Sequence, residues 1–145
     1  MSLQQTLQVF ELIDSAFVSG QDVVDLFAPY PAIRASTLRA EGPKGGTDFV
    51  RIEIPGSAGK FAGGAAPTLG IIGRLGGIGA RPTRIGLVSD GDGAIAAIAA
   101  ALKLAEMQRK GDTLPGDVIV TTHICPNAPT RPHDPVDFID RKSVV

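Results

Sequence analysis

The sequence predicts an α/β domain with a mixed sheet, and three observations lead there. A helix-period apolar stripe opens the chain. Two strand-like segments separated by a glycine-rich turn follow as a hairpin. The remainder runs strand, glycine-rich turn, helix, turn, strand. That last order is a βαβ unit, whose strands pair in parallel through a right-handed crossover. A chain of 145 residues has the length of one domain and can bury its own core.

Leu3, Leu7, Phe10, Ile13 and Phe17 recur at spacings of three and four, which predicts a first helix with that stripe against the core. Ser19 and Asp22 form a capping-box pattern that starts a second, short helix through Val23, Val24 and Phe27. Pro29 and Pro31 stop it. Ile33 to Glu41 alternates loosely. Phe49, Val50, Ile52 and Ile54 make a better strand, with Arg51 and Glu53 pointing the other way. Gly42 to Gly46 is loop, and the two strands form an antiparallel hairpin.

Pro55 to Pro67 is a glycine- and alanine-rich loop, followed by a buried strand at Thr68–Ile72. A further strand, Arg84–Val88, runs into Ser89-Asp90-Gly91-Asp92-Gly93. A helix then extends from Ala94 to Lys110, with Ile95, Ile98, Leu102 and Ala105 on one buried face. Gly111 suits the position after a helix end, and the basic last turn suits the helix dipole. Leu114-Pro115-Gly116 leads into a last strand, Asp117–Thr122. The parallel core strands are thus expected at Thr68–Ile72, Arg84–Val88 and Asp117–Thr122. After His123 periodicity ends: four of the eleven residues from Cys125 to Pro135 are proline, and no helix follows.

Composition narrows the function. Fourteen basic against fifteen acidic residues give a net charge of −1, which argues against nucleic acid or a membrane surface as partner. With 43% hydrophobic residues the chain is not a disordered tail. One cysteine excludes an internal disulfide and, with no signal peptide in the sequence, places the expectation in the cytoplasm. The dinucleotide fingerprint, the P-loop and the G-x-S-x-G elbow are all missing.

Three segments carry candidate chemistry. Between Glu53 and Asp90 lie ten glycines, Lys60, Arg74, Arg81 and Arg84, and no acid. Gly76, Gly77 and Gly79 can turn backbone N–H groups onto an anion, with Arg74 and Arg81 as guanidinium forks. Alternatively these glycines serve tight turns and close contacts. Asp90 and Asp92 stand at a strand's carboxyl end, where open α/β sheets bind ligands. They suit a divalent cation, or else Asp92 or Ser89 caps the helix. His123 and Cys125 stand at the end of the next parallel strand, two residues apart and so on one side. Asp90, Asp92 and His123 are the candidate ligands for zinc or manganese, whose bound water is acidified for hydrolysis, with Asp92 and His123 the catalytic pair. His133 with Asp134 adds a further ligand or base. Against this stand a structural histidine, a buried inert Cys125 and a proline-rich exit loop.

The words Thr47-Asp48-Phe49-Val50, Ala66 to Pro82, Gly86 to Ala94 and Leu114 to Pro129 resemble a bacterial family catalogued as domain of unknown function 1177. The resemblance runs to about Phe138. Members of that family are longer, which implies that residues 1–138 form one incomplete α/β domain and residues 139–145 a disordered or non-native tail. The order strand, Asp-rich glycine turn, small-residue helix, Gly-Asp-Val strand also resembles the co-catalytic zinc aminopeptidases and their amidohydrolase relatives. That likeness gives Asp90 or Asp92 the place of a bridging metal ligand. The sequence departs from those enzymes twice. His123, Cys125 and Asn127 replace a carboxylate pair, and Gly73-Arg74-Leu75-Gly76 replaces a His-x-Asp motif.

The function expected is a metal-dependent hydrolase acting on a small anionic substrate, with further copies of the chain in a homo-oligomer as the expected partner. The alternative is a non-enzymatic module that binds an anionic metabolite or assembles with a partner.

Overall fold

The computed structural model describes residues 2–43, 45–75, 87, 91–125, 130–133 and 136–140. Helices α1 (Leu3–Ile13) and α2 (Gly20–Asp25) precede a hairpin of β1 (Arg34–Gly42) and β2 (Gly45–Ile54). Strand β3 (Leu69–Ile72), helix α3 (Asp92–Arg109) and strand β4 (Val118–Ile124) follow, then a hairpin of β5 (Thr130–His133) and β6 (Val136–Asp140). The main sheet has the order β1-β2-β4-β3. Its pairs are antiparallel except β3 with β4, which run parallel. The expected mixed α/β class is what forms. The passage from β3 through α3 to β4 supplies the parallel connection. Of the expected strand Arg84–Val88 only Leu87 is described, its N–H donating to Asp14 at 3.0 Å. Among the described residues no helix is long and apolar enough to cross a membrane.

The core lies between α3 and one sheet face. Strands β2 and β4 alternate, so Val50, Ile52 and Ile54 meet Val118, Val120 and Ile124 beneath Ile98 and Leu102. Each such aliphatic side chain contributes about 1.5–3 kcal/mol on full burial. The end of α3 closes as its glycine predicts. Gly111 takes φ 88°, its N–H reaches Gln108 O at 2.9 Å, and the Asp112 N–H reaches Met107 O at 3.0 Å. The capping box at α2 forms, Ser19 N–H donating to Asp22 at 2.7 Å. Buried Asp48 ties α2 to the hairpin, accepting from Gly20 N–H at 2.8 Å and from Arg39 at 2.9 Å.

Four expectations are corrected. The stripe on α1 faces the core only at Ile13: Leu3, Leu7, Phe10 and Phe17 are exposed, and Gln5 and Val9 are buried beside Ile13. The row Gln5, Val9 and Ile13 lies against the alanine-rich α3, and Gln5 fixes the rotation of α1 by donating to Glu106 at 2.6 Å. Strand β3 is not buried. It pairs only with β4 among the described strands, and Ile72 is 87% exposed on the face no described helix covers. The turn between β1 and β2 is shorter than Gly42–Gly46, because those strands pair as far as Gly42 with Gly45. The proline-rich segment is not structureless. The β5–β6 hairpin tolerates Pro132 at a register irregularity between Arg131 and His133, and it extends to Asp140 opposite Thr130.

Backbones also approach closely between the end of β3 and the start of α3. A side chain at Gly73, just after β3, would strike the Gly93 carbonyl and lie 2.6 Å from the Ala97 methyl. By contrast, nothing lies within 4 Å of a Cβ built on Gly70. Gly73→Ala is therefore expected to lower stability by about 1–3 kcal/mol in urea unfolding, while Gly70→Ala leaves it unchanged or slightly raised. Equal stabilities for the two variants would refute this packing.

Candidate functional site

The carboxyl ends of β3 and β4 lie side by side, with Ile72 opposite Thr121 and Gly73 N–H donating to Thr121 O at 2.8 Å. The chain then turns under the start of α3. A Cβ on Gly93 would come within 2.8 Å of the Arg74 carbonyl oxygen and 2.9 Å of its nitrogen. This contact brings two predicted residues, Arg74 and Asp92, to one corner of the sheet, each next in sequence to a glycine of the contact. Both are exposed. Asp92 is the first residue of α3, and Gly91 holds the capping position with no side-chain cap bond. The capping alternative for Asp92 is thus corrected by one residue. Its charge still faces the positive helix end, an arrangement that contributes about 0.3–1 kcal/mol in exposed helices.

His123 reaches this end of the sheet from the other side. Within β4 it alternates with buried Thr122 and Ile124, so its ring projects onto the face opposite α3. There it packs against Phe49, its cross-strand partner, with ring centroids 6.2 Å apart. Arg81, Gly76, Gly77, Gly79 and Asp90 lie outside the described residues, as does Ser89. Among the described residues no three His, Cys, Asp or Glu side chains gather closely enough to hold a metal ion. Asp92 has the exposure a ligand needs, whereas His123 departs toward the far face. Cys125 is buried, its sulfur 3.4 Å from the Thr47 hydroxyl and 3.9 Å from Gly46 O. That packing suits the inert thiol rather than a nucleophile.

Three buried polar groups escaped the sequence. The Thr122 hydroxyl is buried with no hydrogen-bond partner. The Gln108 carboxamide oxygen is likewise buried and unpartnered. Asp117, just before β4, is a buried carboxylate that accepts from Gly56 N–H at 2.9 Å and Phe61 N–H at 3.1 Å. Burial pushes its carboxyl up. The backbone N–H groups of Gly56, Phe61 and Lys60, with the Lys60 charge, outweigh burial and hold it below the ordinary aspartate value. A Cβ at Gly59 would overlap this carboxylate, so the loop is wrapped around it. The only advance signal was an acid directly after a Pro-Gly turn.

Together these features define an α/β domain with a mixed sheet whose one parallel pair is β3 with β4. The chain belongs to the family described as "Protein of unknown function (DUF1177)", which matches residues 38–144. The match runs past Phe138, to residue 144. No curated protein matches the chain. Among solved structures it is similar to the bottromycin maturation enzyme BotP in complex with Mn, at 16% identity and TM-score 0.60, over 88% of this chain and 31% of that one. It is also similar to a variant of tomato leucine aminopeptidase, at 15% identity and TM-score 0.58, over 92% of this chain and 30% of that one. The chain therefore spans about a third of each. At such identities the likeness is one of fold.

Asp117 gives a pH prediction. A carboxyl held low in the folded state stabilises fully above the unfolded value of about 3.9, and that contribution is lost as pH falls through the lower folded value. Asp117→Asn turns an amide N–H against a backbone N–H, so its Tm at pH 7 is expected to fall by roughly 5–10 °C. The gap to the parent should narrow below about pH 4 as the parent loses its advantage. A gap that stays constant with pH would refute the ionised clamp.

Proposed function

We propose that this chain is a metal-dependent hydrolase of the peptidase or amidohydrolase type, acting on a small anionic substrate. The observation that carries this reading is the Gly73–Gly93 contact, which sets a cation, Arg74, and a carboxylate, Asp92, at the carboxyl ends of parallel strands. The fold shared with BotP, whose structure contains Mn, and with a leucine aminopeptidase supports it. Asp92 and Asp90 are the proposed ligands for zinc or manganese, with His123 as the third. A bound ion of that kind supplies a Lewis acid and a water acidified toward neutral pH. Arg74 and Arg81 hold the substrate's carboxylate or phosphate, and Gly76, Gly77 and Gly79 offer backbone N–H groups to it. The N-terminus of α3 adds its positive dipole end. The partners on this reading are the small anion and further copies of the chain, with neither nucleic acid nor membrane, in the cytoplasm.

One observation favours the alternative, a non-enzymatic module that binds an anionic metabolite. His123 projects from the sheet face opposite α3, whereas Asp92 opens α3 itself.

Elemental analysis of the purified protein separates the two. The hydrolase is expected to carry stoichiometric zinc or manganese, falling about tenfold or more in Asp92→Ala and His123→Ala. Arg74→Ala should keep the metal and weaken phosphate or carboxylate binding about 10–100-fold. Metal-free protein that binds such anions through Arg74 would replace the hydrolase with the binding module. Protein that does neither would reject both.

A further inference from the structure

We infer that the outer edge of β1 is where two copies of this chain join, β1 pairing antiparallel with β1 of the second copy across a two-fold axis at Leu38. The surface is separate from the Arg74–Asp92 corner. In the order β1-β2-β4-β3 the two lie at opposite edges of the sheet, so the dimer stands whether or not that corner holds a metal.

Strand β1 has nine residues, about 30 Å of chain. All but Ala35 are exposed, and among the described strands β1 pairs only with β2. An antiparallel neighbour satisfies alternate residues, so the others turn their N–H and C=O groups outward. Long edges in folded proteins are usually guarded by a proline, a bulge or a charge reaching past the edge. Strand β1 contains no proline, and its register with β2 runs unbroken from Arg34 to Gly42. Its charges are held within the chain. Arg39 pairs with Glu41 and, at 2.9 Å, with Asp48, and the Arg34 guanidinium carbon stands 6.0 Å from the centre of the Phe61 ring. The opposite edge strand, β3, has only four residues and offers far fewer such groups.

The strand is complementary to itself in one register. Leu38 is its midpoint, so pairing all nine residues sets Leu38 against its own copy. Arg34 then faces Gly42, Ala35 faces Glu41, Ser36 faces Ala40 and Thr37 faces Arg39, with no like charges directly opposed. A register centred on Arg39 opposes that residue to its copy, which repels. A register centred on Thr37 sets Leu38 against Ser36, and a shift by a single residue opposes side chains of different faces. Leu38 and its cross-strand partner Phe49 are 71% and 52% exposed, on the face opposite α3. The full register joins them into one apolar stripe, Phe49 and Leu38 of each copy, running across the axis. About eight to ten backbone hydrogen bonds form, the number a specific interface carries. Each copy's edge is used up in the pairing, which closes the assembly at two chains and fuses the two four-stranded sheets into one.

The test is sedimentation equilibrium on the full chain. A dimer of about 30 kDa, twice the 15.0 kDa chain, is expected with a Kd of about 10 μM or tighter. Leu38→Lys places like charges on the axis at an exposed position, so it should keep the parent's circular dichroism and weaken dimerisation about 100-fold. Oxidation reads the register. Leu38→Cys should give a disulfide-linked dimer, because the two sulfurs meet on the axis. Ser36→Cys should not, since residue 36 stands four positions, about 14 Å, along the strand from its copy. Cys125 is buried and does not compete. A parent chain that stays monomeric at about 100 μM would leave the edge to a foreign strand and overturn the proposal. A dimer indifferent to Leu38→Lys, or one linked as readily through Ser36→Cys, would overturn it as well.

Discussion

The contact between Gly73 and Gly93 is the constraint on which the candidate corner depends. A helix laid on a sheet normally stands off by the length of its side chains. Here the first turn of α3 descends onto the end of β3 until backbone meets backbone. That descent puts the uncapped start of an 18-residue helix beside Arg74 and aligns its dipole with the parallel strand ends. It also gives the local glycines a structural purpose. Gly73 and Gly93 are required by space, whatever Gly76, Gly77 and Gly79 do for a ligand.

Asp117 organises the opposite end of β4. It stands where the chain enters the sheet, and the loop after β2 folds around its carboxylate through Gly56 and Phe61. A charge so enclosed is tolerated because directed N–H groups replace the lost water. Clamping of this kind frames an active centre as readily as it supports a loop. Its distance along β4 from Thr121 and His123 favours the supporting role here.

Much of the fold was legible because local chemistry and long-range packing agree. The capping box at Ser19, the helix end at Gly111 and the alternation in β2 each formed as their residues dictate. Arg74 and Asp92 were each legible from local composition, a cationic glycine-rich stretch and an acidic turn before a helix, but only the Gly73–Gly93 contact brings them to one corner. What failed did so for physical reasons. Helix α1 has apolar residues on more than one face, and the buried row includes the polar Gln5, whose partner Glu106 lies on α3. Four apolar residues in β3 do not say which face will be covered. Spacing put His123 and Cys125 on one side of β4 but not on which face relative to α3. The Gln108 side chain donates to the Pro55 carbonyl, far away in sequence, and no local pattern announces that bond.

The enclosed thiol of Cys125 has a practical consequence. With its sulfur held among Thr47 and Gly46, air oxidation cannot link two molecules through it while the sheet is intact. The same enclosure makes it a built-in clock. A thiol-reactive dye can label the protein only when the β2–β4 seam opens, so the labelling rate reads the frequency of that opening without any engineered probe.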